Sequence, residues 1–145
     1  MRFFSKNQGF TFIEIMVVII ILGILAAIVI PRFVGRTEEA KRIAAAVQIR
    51  NIEGALHLFK LDNGFYPSTE QRLRALVEKP TTGRIPKKWI KGGYLSKVPR
   101  DPWGNEYIYL SPGQQDRSYD VISYGDDGEK GGEDENADIE NWALE

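Results

Sequence analysis

Residues 10–30 read FTFIEIMVVIIILGILAAIVI, and all but Thr11, Glu14 and Gly23 are apolar. As a helix, these twenty-one residues rise roughly 30 Å, the thickness of a hydrocarbon core. That length favours a membrane span over a buried core helix. A removable secretory signal is the rival, because Met1–Gly9 is short and polar and carries Arg2 and Lys6. An ordinary signal, however, has an apolar region of only about 7–15 residues, followed by a small-x-small cleavage site. Here Ala26-Ala27 is followed by more apolar chain up to Pro31, so a retained segment is expected. Charge leaves its orientation open. Arg2 and Lys6 flank one end, while Arg32, Arg36, Lys41 and Arg42 flank the other, partly offset by Glu38 and Glu39.

Glu14 is out of place in such a run. A carboxylate within a span costs a few kcal/mol and ordinarily has a partner. Snorkelling is one answer, since Glu14 lies about one turn, roughly 6 Å, from the polar end. The other answer is a cation at the same depth. No Lys or Arg lies within the run, but cleavage after Gly9 would create an α-ammonium on Phe10. Glu14 would pair with it within one helix or between neighbouring helices, and the second option makes assembly conditional on processing.

The remainder of the 145 residues bounds the alternatives. Without the apolar run, the chain can form only one modest core. It has no cysteine and one histidine, His57, which excludes disulfides, thiolate zinc sites and histidine clusters. Neither a nucleophile elbow nor a phosphate-binding glycine loop is present, and no catalytic constellation emerges. The net charge of −1 hides an asymmetry, because residues 126–145 carry nine acids and one lysine. No basic patch interleaved with aromatics suggests a nucleic-acid partner.

KNQGFTFIEIMVV (residues 6–18) resembles the class III signal of type IV pilins and pseudopilins. The shared features are a short basic leader, Gly, Phe, and Glu at the fifth mature position; the family's common GFTLIE differs only at Phe12. The resemblance implies that residues 1–9 are a leader, cut between Gly9 and Phe10 by a prepilin peptidase that also N-methylates Phe10. It gives Glu14 the role of recruiting incoming subunits through an N-terminal amine. Methylation keeps the positive charge, so the ion-pair argument is unaffected. At Gly9, the missing side chain lets a peptidase approach the scissile backbone closely.

Helical character continues past the span, from Thr37 to Leu61. Ala45, Ile49, Ile52, Leu56 and Phe59 form one narrow apolar stripe, and Ala40, Ile43, Ala44, Val47, Leu58 and Leu61 form a second, roughly opposite. One stripe is expected to cover the domain's core and the other a neighbouring subunit. Burial of both within one domain is the alternative. Pro31 is expected to interrupt this helix, with Gly23 a second weak point. By resemblance, the segment between them loses helix on assembly. Asp62-Asn63-Gly64 ends the helix, with Gly64 as a left-handed cap.

A shorter helix is expected from Ser68 or Thr69 to about Glu78, with Leu73, Leu76 and Val77 on its apolar face. Residues 80–93 read as a loop. Lys87, Lys88 and Lys91 around Trp89 suggest either a polyanion site or an exposed loop anchored by one aromatic, and we read the latter. Strands are expected at Tyr107–Leu110 and Ser118–Ser123.

Three stretches, GFYPSTEQRLRALVEKP (64–80), GGYLSKVPRDPWGNEYIYLSPG (92–113) and SYDVISYGDDGEKGGEDENADIENW (118–142), resemble the major pseudopilin of type II secretion systems. Type IV pilins commonly keep a C-terminal disulfide loop, which this chain has no cysteine to form. The fold class expected is α+β. A long N-terminal helix, membrane span plus amphipathic half, packs on a small antiparallel sheet, with a C-terminal calcium-binding loop.

The acidic tail has two readings from chemistry alone, a solvated disordered segment or a hard-cation site. Tyr124, Ile139 and Trp142 could anchor it, and its glycines let carbonyls turn inward. Carboxylates with free carbonyls suit Ca²⁺ better than Mg²⁺. By resemblance the cation is calcium. It would be held by Asp127 and Asp134, assisted by Glu135 and the carbonyls of Tyr124 and Gly132, with Asp126 not a ligand.

These features imply three segments: the leader, 1–9; the membrane and filament-core helix, 10–30; and a periplasmic domain, 31–145. The function implied is a major pseudopilus subunit that drives export of folded proteins. It would be single-pass in the bacterial inner membrane before assembly, powered through a cytoplasmic ATPase. Implied partners are further copies of itself, minor pseudopilins, the inner-membrane assembly platform and the prepilin peptidase/N-methyltransferase, with no nucleic acid. The alternative is a subunit of a type IV or competence-type pilus. A membrane-tethered enzyme is the third and weakest class.

Overall fold

The computed structural model describes residues 9–144, and the side chains of residues 28–36 and 135 lie outside it. The leader's Arg2 and Lys6 therefore fall outside the described residues. The chain divides into two compact units, Met1–Thr37 and Glu38–Glu145.

Helix α1, Phe12–Asn63, has a continuous helical backbone. In the isolated chain the helix passes through both Gly23 and Pro31. A proline removes one backbone hydrogen bond, and the bonds on either side of it carry the helix onward. From Phe10 to Leu25 the large apolar side chains of the first unit are all about half exposed or more. Among the described residues no helix is long and apolar enough to cross a membrane. Ile28, Val29 and Ile30 of the expected span lie outside that description.

In the second unit the amphipathic pattern is realised. Ala45, Ile49, Ile52, Leu56 and Phe59 are fully buried. On the opposite side Ile43, Val47, Leu58 and Leu61 are each more than half exposed, so the domain does not bury both stripes. The helix ends where expected: Gly64 has φ +80°, and its N–H bonds the Lys60 carbonyl at 2.7 Å.

Against the buried stripe lies a three-stranded antiparallel sheet in the order β1 (Ile108–Leu110), β2 (Asp120–Ser123), β3 (Ile139–Glu140). Tyr109 is opposite Val121, and Ser123 is opposite Ile139. The expected alternation along β2 does not appear as exposure, since all four residues are buried. Its second face is covered by chain: the 113–117 turn folds over Asp120, and the Ser123 hydroxyl donates to buried Asp101 at 2.7 Å. Strand β3 was not foreseen from sequence.

The helix expected over 68–78 is not formed. Ser68 and Gln71 do make a reciprocal cap, with Ser68 N–H to Gln71 Oε1 at 3.0 Å and Gln71 N–H to Ser68 Oγ at 3.3 Å. Arg72 then turns to φ +52°, which ends the helix after one turn, and a 3₁₀ turn, Leu73–Leu76, follows. This reversal buries Leu73 and Leu76, as expected of that apolar face. The 80–93 segment is irregular. Trp89 anchors it against Phe59 and Tyr94, with ring centroids 6.4 and 5.4 Å apart, while Lys87, Lys88 and Lys91 are exposed.

Candidate functional site: the processing end and the acidic loop

At the head of α1, Thr11 and Glu14 bind each other reciprocally. The Glu14 N–H reaches Thr11 Oγ1 at 3.3 Å, and the Thr11 N–H reaches Glu14 Oε2 at 3.4 Å. This is a capping box, which satisfies two of the helix's orphan donors. The signal was present in Thr-x-x-Glu, but sequence reasoning absorbed Glu14 into the ion-pair argument and missed Thr11. Gly9 and Phe10 precede the helix and belong to no regular element. Apart from its chain neighbours, no described atom lies within 4 Å of where a Gly9 side chain would begin. Phe10 is 80% exposed. The chain therefore has an exposed residue, Phe10, four positions before a carboxylate that is lightly held.

The acidic loop is braced from two sides. Asn105 donates to the Gly125 carbonyl at 3.0 Å. Asn105 is itself fixed by the Asp101 turn, where Asp101 Oδ1 accepts from the backbone N–H groups of Trp103 and Asn105. From α1, the Arg42 guanidinium donates to the carbonyls of Asp134 at 3.1 Å and Ala137 at 2.8 Å. Beyond the loop, Arg50 donates to the Leu144 carbonyl. Asn141 supplies Oδ1 to the Val121 N–H at 2.9 Å and its amide to Glu53. Arg42 and Asn105 carried no sequence signal, because their partners are backbone carbonyls distant in the chain.

Within the loop, Asp127 Oδ1 accepts from the Glu129 N–H, and Asp138 accepts from the Gly131 N–H through both carboxylate oxygens at 3.0 Å. Gly132 has φ +95°, and a Cβ there would lie 2.6 Å from the Asn136 carbonyl oxygen. Only glycine fits this close approach. Asp134 sits at φ +53°. The residues expected as ligands, Tyr124, Asp127, Gly132, Asp134 and Glu135, fall on this one doubled-back segment; the Glu135 side chain lies outside the described residues. Among the described residues, no three Asp, Glu, His or Cys side chains are gathered closely enough to hold a metal ion. A cation here would need carbonyls to complete its shell. The donor set is all oxygen, the chemistry of a hard cation. Of the expected anchors, Ile139 is buried in the sheet and Tyr124 is half-buried. Trp142 is 38% exposed, with the Arg117 guanidinium over its ring at 3.7 Å.

Two charged clusters fix the domain's ends. The Glu38 carboxyl is held below its usual range by hydrogen bonds from Lys41, at 2.8 Å, and from the Trp103 indole, at 2.9 Å. Burial pushes the fully buried Asp120 up, but Arg117 Nε at 2.6 Å and the Gln114 N–H at 2.8 Å outweigh it. The carboxyl ends below its usual range.

Comparison with known proteins separates the two halves of the chain. Residues 4–30 match the prokaryotic N-terminal methylation motif, and residues 32–142 match type II secretion system (T2SS) protein G. The chain is 54% identical over 137 residues to type II secretion system core protein G of Pseudomonas aeruginosa, covering 94% of this chain and 96% of that one. It is 48% identical to the Vibrio cholerae protein of the same name over 145 residues, 100% of this chain and 98% of the other. The crystal structure of the major pseudopilin from the type 2 secretion system of enterohaemorrhagic Escherichia coli superposes with a TM-score of 0.67 at 41% identity, covering 77% of this chain and 94% of that one. The methylation motif, the long helix on a three-stranded sheet and the cysteine-free acidic loop thus converge, and the chain belongs to the type II secretion system protein G family of major pseudopilins.

Proposed function

We propose that this protein is stored in the bacterial inner membrane as a single-pass precursor with its C-terminal domain in the periplasm. The prepilin peptidase/N-methyltransferase cuts between Gly9 and Phe10 and methylates Phe10. Processed copies then add, helix against helix, to a periplasmic pseudopilus that moves folded proteins across the outer membrane. The protein is a structural subunit, not an enzyme. The observation that carries this reading is the apolar run that enters α1: its described large apolar side chains are exposed from Phe10 to Leu25, and only lipid or like helices can cover them. Glu14 leaves Thr11 for the new ammonium of a neighbouring copy. The segment between Gly23 and Pro31 gives up helix during addition, and the inner-membrane platform and minor pseudopilins complete the assembly. N-terminal mass analysis of membranes with and without the peptidase tests the reading. Mature protein should begin at methylated Phe10, and Glu14→Gln should cut the polymerisation rate about tenfold or more. Filaments built from uncut chains, or a Glu14→Gln variant polymerising at the native rate, sink it.

The acidic loop supports a second part of the proposal, that Asp127, Asp134 and Glu135, with the carbonyls of Tyr124 and Gly132, hold Ca²⁺. Bound there, the ion supplies charge neutralisation to a segment whose carboxylates otherwise repel one another. Arg42 and Asn105 hold the two flanks of the loop in place.

A further inference from the structure

Residues 79–100 contain seven cations and no acid. All seven are exposed. Arg84 stacks on Phe65, and Arg100 pairs with Glu106. Among the described residues, Lys79, Lys87, Lys88, Lys91 and Lys97 make no ion pair. The segment is irregular but fastened from beneath. Gln71 Nε2 donates to the Thr82 carbonyl at 2.7 Å, the Lys88 N–H donates to Asn63 Oδ1 at 3.0 Å, and the Tyr94 N–H donates to the Leu76 carbonyl at 2.7 Å. Trp89 and buried Pro86 fill the space below. The lysines therefore stand on a preformed surface, and engaging them costs little ordering.

The same chain carries the opposite charge elsewhere. Asp126, Glu129 and Glu133 are exposed on the acidic loop, and no ion pair among the described residues joins that loop to the basic segment. We infer that the basic segment 79–100 of one copy docks on the acidic loop of the next. Complementary charge on two different surfaces makes a head-to-tail contact, which leaves one free basic face and one free acidic face after each addition and so does not close on itself. An equal supply of both charges on every copy favours a second copy over a lipid or an unrelated anion. The inference rests on the filament reading above, and it adds an electrostatic contact outside the membrane helix.

The test is the self-association of the full-length, peptidase-processed protein in neutral detergent, followed by sedimentation at low and high salt. Wild type should associate, and salt should weaken it. Reversing the basic face with K87E/K88E/K91E, or the acidic face with D126K/E129K/E133K, should lower association about tenfold. The two variants mixed, or both sets combined in one chain, should recover it. Circular dichroism confirms that each variant is folded. Undiminished association of the first variant, or a combined chain that is folded yet does not recover, overturns the contact. So does a loss seen only when phosphatidylglycerol vesicles are present, which would make lipid the occupant. Copies that pair through these faces but never build filaments would sink the filament reading and leave the contact standing.

Discussion

Two tyrosines, Tyr109 on β1 and Tyr107 just before it, show how a single hydroxyl changes sign with its surroundings. Tyr109 is buried and donates to the Pro67 carbonyl at 2.8 Å. Tyr107 is equally buried, but its hydroxyl has no hydrogen-bond partner among the described residues. Tyr109→Phe should therefore lower unfolding stability by about 1 kcal/mol, whereas Tyr107→Phe should leave it unchanged or raise it by a similar amount. Urea melts of the two variants check this, and equal losses would refute it. Asp120 makes a sharper case. Its depressed pKa means that its contribution is present at neutral pH and is lost as pH falls through the native value. Asp120→Ala should cost about 3 kcal/mol at neutral pH, at the lower end for a broken buried pair because Arg117 remains reachable by water. The difference from wild type should shrink on acidification. A pH-independent difference would mean that the loss is one of packing alone.

Helix α1 was the most legible element, because its period fixes which residues share a face whatever packs there. Phe59→Ala on the buried stripe should cost about 3–5 kcal/mol by thermal or urea melts. Val47→Asp on the exposed stripe should leave the melt within about 0.5 kcal/mol and reduce filament yield, read by sedimentation. A large stability loss in Val47→Asp would show that this face serves the fold instead. The other elements were legible to the degree that they are local. The Gly64 cap and the Ser68–Gln71 cap follow from neighbours in sequence. The reversal at Arg72 does not, because a positive φ at arginine is imposed by burial of Leu73 and Leu76. Strand β3 escaped notice because two residues carry no period, and their pairing with Ser123 spans an intervening loop. The braces on the acidic loop escaped for the same reason. The resemblance located the loop, and chemistry alone left it between disorder and a cation site.

At the scale of the whole molecule, the acidic loop has little core of its own and is held by Asn105, Arg42 and β3. On the proposed calcium reading, withdrawing the ion should therefore raise hydrogen exchange in residues 126–133 while the sheet and the buried stripe of α1 stay protected. Asp127→Ala should reproduce that pattern with calcium present and should impair assembly. Global unfolding on chelation would contradict this partition, and normal assembly by Asp127→Ala without calcium would remove the ion's structural role.

The Thr11–Glu14 cap has a bearing on timing. Both of its contacts are long, and each joins a backbone donor to a side chain at the very tip of α1. In the proposed precursor, the acid would be parked on its own chain. An ammonium supplied by the proposed cleavage would outcompete so slack a grip. On the proposed processing, the cap would act as a safety catch, idling the precursor until the peptidase has cut.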